Sequence, residues 1–261
     1  MQDKNIDIRL CDNLELMTEL PDNHIDLIYS DILYGTGSRK ITDYTDLKPK
    51  KRVIEEHYVP RLTEMYRLLS KTGSIYLQMD QTINHWIRCI LEDIGFHFQS
   101  EIIWELKLGN NSQKNNWQNK HDTILFFTKS RVGYKWNDMR GDVTPAMLRK
   151  YCNVEDDGRR YMVSYGKKYY LKGGKKLGNV WDIPQLSVKS TERTGYDTQK
   201  PKELIERILT ASTDVGDTVA DFYLGSGTTA EVCMDMGRRF IGCDISEKAI
   251  QLSKTRCKIK Y

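Results

Sequence analysis

Two groups of residues in this chain have types and spacings that could do chemistry. The first lies in VADFYLGSGTTAEVCMDMGRRFIGCDI, residues 219–245, where an apolar run (Val219 to Tyr223) enters a turn holding Gly225 and Gly227. A helical pattern follows, and a second apolar run (Phe240 to Cys243) ends on Asp244. Glycines let a backbone approach a ligand closely, and a carboxylate about 20 residues further on can bind ribose hydroxyls, so the stretch reads as a nucleotide-binding βαβ unit. The spacing also satisfies G-x-G-x-x-A through Ala230. It leaves a nicotinamide cofactor and S-adenosylmethionine equally open. A phosphate-binding P-loop fits poorly, because GSGTT has no lysine before its hydroxyl residues.

The second group is Ser30, Asp31, Ile32, Leu33, Tyr34 and Gly35, directly after the apolar run Ile25 to Tyr29. In open α/β sheets ligands sit beyond the carboxyl ends of strands, so a carboxylate and a phenol placed there are candidates for a site.

The elements that must position these groups are readable from hydrophobic period and turn residues. Leu14 to Leu20 reads as a short helix ended by Pro21, Asp22 and Asn23, and Ile25 to Tyr29 as a strand. Glu55 to Leu69 has helical spacing through Tyr58, Leu62, Met65 and Leu69, with Thr72 and Gly73 predicted to stop it before a strand at Ser74 to Met79. A helix over Ile83 to Ile94, strands at Phe98 to Trp104 and His121 to Lys129, and a helix from Pro201 through Leu204, Ile205, Ile208 and Leu209 complete the pattern. Leu106 to Lys120 is polar and reads as a loop. A doubly wound dinucleotide domain needs a second half after its glycine unit. Here only Ser246 to Tyr261 remains, enough for one basic helix with Ala249, Leu252 and Ile259 on its buried side. The other strands must therefore come from earlier in the chain, with the cofactor half last.

With 261 residues, 39% hydrophobic and 29% charged, the chain suits one large α/β domain with an insertion. No run approaches the roughly 18 apolar residues of a membrane span, and Met1 to Leu10 is polar and charged, without a secretory pattern. The six cysteines are scattered with no C-x-x-C pair, which argues against a zinc site or a disulfide framework and for reduced thiols in the cytoplasm. The net charge is only +4, but basic residues gather with aromatics between Arg131 and Lys176, in LRKY, GRRY and GKKYYLKGGKK. Such interleaving, with Arg159, Arg160, Lys167 and Lys168 at its centre, suits phosphate contacts and stacking on nucleic acid.

Taken in order, Asp31 to Tyr34, GSIYLQMD, HDTILFFTKS, TQKPKELIERIL, DFYLGSGTTA and GRRFIGCDIS resemble the β-class amino-methyltransferases of DNA, the adenine-N6 and cytosine-N4 family of restriction-modification systems. The resemblance implies a Rossmann-like S-adenosylmethionine methyltransferase fold in circularly permuted order. Residues 1–130 would form the catalytic half, 131–180 an inserted target-recognition region and 181–261 the cofactor-binding half. By the same resemblance Asp221, Phe222, Gly225, Ser226, Gly227, Thr228 and Thr229 form the methionine-side cofactor loop. Asp244 is the ribose-binding acid, Thr198, Gln199, Lys200 and Pro201 hold the amino-acid end, Asp12 lies near the adenine, and Asp31 borders the cofactor.

The family's catalytic pattern is acid, proline, proline, aromatic, whereas this chain has Asp31, Ile32, Leu33, Tyr34. The chemistry keeps a basis: Asp31 and the Ile32 carbonyl would accept the two N–H bonds of an exocyclic amine, and Tyr34 would stack on a base flipped out of the duplex. Losing both prolines removes a rigid turn, which makes a silent DNA-binding protein of the same fold the competing expectation. Cytosine-methylating members generally carry Ser at the first motif position, so Asp31 in register with Tyr34 favours adenine. Arg39 or Lys40 would touch phosphate. Trp104, Trp117 and Trp181 are stacking candidates, with burial the better use of Trp104, and His121 and Asp122 would position loops rather than exchange protons. The implied partners are double-stranded DNA, a cognate restriction endonuclease and a second copy in a homodimer. Neither a metal nor a membrane is expected.

Overall fold

The computed structural model describes residues 5–35, 46–107, 115–196 and 198–259. The first part of the chain builds β1 (Ile6–Leu10), α1 (Asn13–Glu19), β2 (Ile25–Asp31), α2 (Lys51–Leu68), β3 (Leu69–Met79), α3 (Asn84–Ile94), β4 (His97–Glu105) and β5 (His121–Thr128). The middle holds α4 (Pro145–Lys150), β6 (Asn153–Val154), β7 (Arg160–Ser164) and β8 (Lys167–Tyr170). The last part adds β9 (Val180–Trp181), α5 (Lys202–Ser212), β10 (Thr218–Asp221), α6 (Thr228–Asp235), β11 (Arg239–Asp244) and α7 (Glu247–Arg256).

Residues up to Trp136 and from Asn179 onward form one compact unit. Its eight-stranded sheet has the order β1-β11-β10-β2-β3-β5-β4-β9. From β1 to β3 neighbouring strands are parallel, whereas β5 runs antiparallel to β3 and β4. The half that carries the glycine turn does come last in the chain, and β10 inserts beside β2 rather than extending an edge. Parallel strands covered on both faces are buried along their length, and β2 and β10 are buried almost throughout. One face packs Ile28, Ile75, Leu77 and Phe127 under α1, α2 and α3. The other packs Leu27, Tyr29, Tyr76 and Phe126 under α5, α6 and α7.

Two elements differ from the sequence expectation. The polar stretch at the amino end contains β1, an edge strand parallel to β11 whose Ile-Asp-Ile-Arg-Leu alternation is the period-two signal of a half-covered strand. Helix α2 stops at Leu68, and Thr72 and Gly73 lie inside β3 rather than before it. There the register against β2 slips from Ile25↔Leu69 to Leu27↔Ser74. The bulged backbone leaves no room for a side chain: a Cβ on Gly73 would stand 2.4 Å from Leu69 Cδ2. The carbonyls at this corner are taken up by a side chain, with Lys129 Nζ donating to Leu69 O (2.6 Å) and to Arg67 O (3.3 Å).

Asn137–Gly178 is a second compact unit. It contains α4 and the antiparallel sheet β6-β7-β8. Its strands are short and mostly exposed, so they lack the hydrophobic period that marks an element in sequence. β7 and β8 are joined by Tyr165 and Gly166, both at positive φ (48° and 71°), the backbone of a two-residue hairpin turn.

Gly227 ties the glycine turn to the last helix. It has φ +75°, and a Cβ there would lie 2.4 Å from Ser253 Oγ and 2.7 Å from Ser253 Cα. Gly227→Ala should lower stability by about 1–3 kcal/mol in urea denaturation. Gly133→Ala, at a similar φ but facing open space, should cost only the left-handed backbone, about 1 kcal/mol. Equal losses would show that contact with Ser253 is unimportant.

Candidate active site

The carboxyl ends of β1, β2, β10 and β11 open onto one cavity of about 700 Å³. Asp31 to Tyr34 enter it from β2, Asp221 to Ser226 from β10, and Asp244 with Ile245 from β11. The lining is acidic: Asp12, Asp31, Asp46, Asp122, Asp221 and Asp244 face it, against Arg61, Arg193 and Lys200.

The glycine loop is held from both sides. Asp244 accepts from the backbone N–H of Gly225 (Oδ2, 2.9 Å) and of Ser246 (Oδ1, 2.9 Å). Arg256 reaches back from α7 to Ser226 O (3.1 Å) and Thr228 Oγ1 (3.0 Å) while pairing with Glu231 (2.6 Å). The sequence pattern predicts a basic last helix but not that Arg256 buries its head under the loop. Asp221, only 2% exposed, accepts from Ser30 Oγ (3.1 Å), Tyr223 N (3.1 Å) and Thr229 Oγ1 (2.7 Å). Ser30 Oγ in turn accepts from Phe222 N (3.2 Å). Asp221 is thus the clasp between β2 and β10. Burial pushes its carboxyl up to about 7 despite the three donors.

Further along the cavity Asp12 caps α1 at Leu14 N (2.8 Å) and pairs with Arg61 (2.9 Å). Arg61 also donates to Asn13 Oδ1 (2.7 Å), and Asn13 Nδ2 to Phe222 O (3.0 Å). His57 Nε2 lies 3.1 Å from the Tyr223 hydroxyl. Burial, helped by Arg61, lowers the imidazole to about 4, so it is neutral at pH 7. His57 and Arg61 lie on one face of α2, where the helical period draws attention to the apolar positions instead.

At the end of β2, Asp31 Oδ2 is ion-paired with Lys200, and Oδ1 accepts from the Tyr34 hydroxyl (2.9 Å). Burial raises the Asp31 carboxyl and Lys200 opposes that rise. Ile32 N donates to Gln78 O (3.0 Å), a bond that a proline could not make, and the Ile32 side chain is buried in the core. Tyr58 donates its hydroxyl to Leu33 O (2.9 Å). Among the described residues nothing donates to the Ile32 carbonyl. The turn that two prolines would stiffen is pinned here by hydrogen bonds and burial.

Of the other residues singled out in the sequence, Thr198, Gln199, Lys200, Phe222, Ser226, Thr228 and Thr229 line the cavity, whereas Pro201 and Gly227 do not. Pro201 caps α5. Gln199 closes its own loop, accepting from Thr194 N and Oγ1 (both 2.8 Å) and donating to Glu192 O (2.8 Å). Arg39 and Lys40 lie outside the described residues. Trp104 and Trp181 are buried and Trp117 is 92% exposed. In the second unit Arg159 and Lys168 pair with Asp157 (2.6 Å) and Glu155 (2.7 Å), while Arg160 and Lys167 are exposed without an ion pair among the described residues.

The Asp221 clasp has a pH signature. Its folded value lies above the ~3.9 of an unfolded aspartate, so the folded state holds the extra proton between about pH 4 and 7 and loses stability as pH rises through that window. Asp221→Asn should flatten that part of the urea stability profile, by up to about 1.4 kcal/mol per pH unit. An unchanged profile would place the titration elsewhere.

Residues 25–255 match the N6/N4 DNA methylase family. The type II methyltransferase M.HpaI of Haemophilus parainfluenzae is 32% identical over 254 residues, 97% of this chain and 74% of its own length. The DNA adenine methyltransferase YhdJ of Escherichia coli K12 is 29% identical over 95% of this chain and 81% of its own. Among solved structures, the M1.HpyAVI–SAM complex aligns with a TM-score of 0.64 at 20% identity, over 97% of this chain and 98% of that one. The PvuII cytosine-N4-specific DNA methyltransferase aligns at 0.70 and 15% identity, over 97% and 86%. At these identities the structures speak for the fold alone. A match that begins with β2 and runs into the last turn of α7, together with the M.HpaI relative, places this chain in the N6/N4 family of DNA methylases.

Proposed function

We propose that this DNA methyltransferase transfers the methyl group of S-adenosylmethionine to the N6 amine of an adenine flipped out of duplex DNA. The observation that carries the reading is the pair of acceptors at the end of β2: the Asp31 carboxylate and, next to it, the Ile32 carbonyl to which no described residue donates. Together they suit the two N–H bonds of an exocyclic amine, whose lone pair is then freed from the ring. Tyr34 offers its ring for stacking on the flipped base. Adenine is favoured because Ser30, the serine that a cytosine-type motif would use, is buried and committed to Asp221 and Phe222.

The acidic lining fits the cofactor. A sulfonium cation and a ribose diol are welcome among carboxylates, whereas the pyrophosphate of a nicotinamide dinucleotide would meet several like charges. Asp244 lines the cavity just beyond the carboxyl end of β11, where a carboxylate suits ribose hydroxyls. Asp12 would take the adenine amine, and Thr198 and Lys200 the amino-acid end. When bound, S-adenosylmethionine supplies an electrophilic methyl group.

We assign DNA reading to Asn137–Gly178, which carries ten Lys and Arg against five Asp and Glu. Its net charge of +5 exceeds the +4 of the whole chain. Arg160 and Lys167 would meet phosphates beside the Tyr165 tip, which is 100% exposed. The same reading adds a cytoplasmic setting, which the scattered cysteines suggest, and a cognate restriction endonuclease and a homodimer, which rest on the family resemblance. No described helix is long and apolar enough to cross a membrane.

Incubation with methyl-labelled S-adenosylmethionine and mixed genomic DNA, followed by nucleoside analysis, should put the label in N6-methyladenine. Label only in N4-methylcytosine would overturn the choice of base, and cofactor binding without any transfer would favour the silent fold. Asp31→Ala should lower kcat by at least about 100-fold with little change in cofactor affinity. Arg160→Ala with Lys167→Ala should weaken DNA binding and reduce the slope of log affinity against log salt by about 2. An unchanged slope would move the phosphate contacts off this hairpin.

A further inference from the structure

The Tyr34 hydroxyl has one proton and two carboxylates within reach: Asp31 Oδ1 at 2.9 Å and Asp122 Oδ2 at 2.8 Å. Both cannot receive a full hydrogen bond at once. Asp31 is the weaker competitor, because Lys200 neutralises its other oxygen. Asp122 is 7% exposed and pairs with no Lys or Arg among the described residues. Its remaining hydrogen bond comes from the neutral amide of Gln78 (Nε2 to Oδ2, 2.9 Å). Gln78 is fully buried and is oriented in turn by the Tyr29 hydroxyl, which donates to Oε1 (2.8 Å). Three adjacent strands, β2, β3 and β5, thus aim an uncompensated carboxylate at Tyr34. Such a group destabilises a fold relative to an apolar strand residue, so its placement calls for a role beyond packing.

The position of Tyr34 matters because its hydroxyl otherwise occupies the Asp31 oxygen that a target amine needs. We propose that Asp122 is a positioning residue for methyl transfer, drawing the Tyr34 hydroxyl to itself so that Asp31 Oδ1 is released to accept an N–H of the target base. The proposal rests on the reading of Asp31 as the amine acceptor and holds for an adenine or a cytosine amine alike. The anchored hydroxyl also fixes the plane of the Tyr34 ring against which the base stacks. Asp122 touches neither the base nor the cofactor in this role and acts through Tyr34.

Asp122→Asn is the informative change, since asparagine keeps the volume and a neutral acceptor but surrenders the charge-assisted bond, so the proton returns to Asp31. Single-turnover methylation of duplex DNA should slow by about tenfold, with S-adenosylmethionine affinity and melting temperature nearly unchanged. In a Tyr34→Phe background no hydroxyl is left to compete, and adding Asp122→Asn should change the rate by less than about twofold. If Asp122→Asn fails to fold, Asp122→Thr places a neutral group on the same strand and should show the same loss, again erased by Tyr34→Phe. The same fractional loss in both backgrounds, or a loss confined to cofactor binding, would overturn the positioning role alone. A wild-type protein that labels no amine in DNA would overturn the acceptor reading and this role together.

Discussion

The parallel seam between β2 and β10 is the constraint on which the site depends. Val219 pairs with Leu27 and Ala220 with Ile28, joining segments about 190 residues apart in sequence. Just beyond the last paired residues, Ser30 and Asp221 clasp the two strands together. With the strands parallel, both carboxyl ends point the same way, so the acid of one half and the glycine loop of the other meet in one cavity. Chain order is immaterial to this meeting. A permuted sequence reaches it because the seam is made by backbone hydrogen bonds and buried apolar faces.

Around the seam, buried carboxylates are managed in three ways. Asp31 is compensated by a cation, Asp221 by three neutral donors, and Asp122, among the described residues, by a hydroxyl and an amide. The differences set their chemistry. Burial raises the Asp31 carboxyl and a lysine opposes that rise, burial brings Asp221 close to neutral pH, and Asp122 accepts from the Tyr34 hydroxyl. The missing prolines fit the same picture. Ile32 gains a backbone bond to Gln78 and a place in the core, and Tyr58 holds the next carbonyl. Rigidity at the motif comes from tertiary contacts that a proline-based turn would not need.

Much of the scaffold was legible because long apolar runs have few alternatives. β2, β5, β10 and β11 are announced by their composition, and α3 and α5 by their helical period. β1 escaped because an edge strand shows only half a hydrophobic face. The continuation of β3 through Gly73 escaped because a bulge reads locally as a turn. The second unit was visible as charge and aromatic content but not as strands, since its sheet buries little.

The sequence by itself determined the α/β class, the permuted order and the residues of the two principal motifs, because these are local patterns of polarity, glycine and spacing. It also marked Asp31, Asp221 and Asp244 as carboxylates worth watching. Only the tertiary structure decided what each of them faces. That Ser30 clasps Asp221, that Arg256 lies under the glycine loop, that His57 and Arg61 border the cavity and that Asp122 competes with Asp31 for one proton are relations between distant segments. Such relations follow from strand order and register, which bring side chains together at hydrogen-bond distance with no trace in the spacing of residues along the chain.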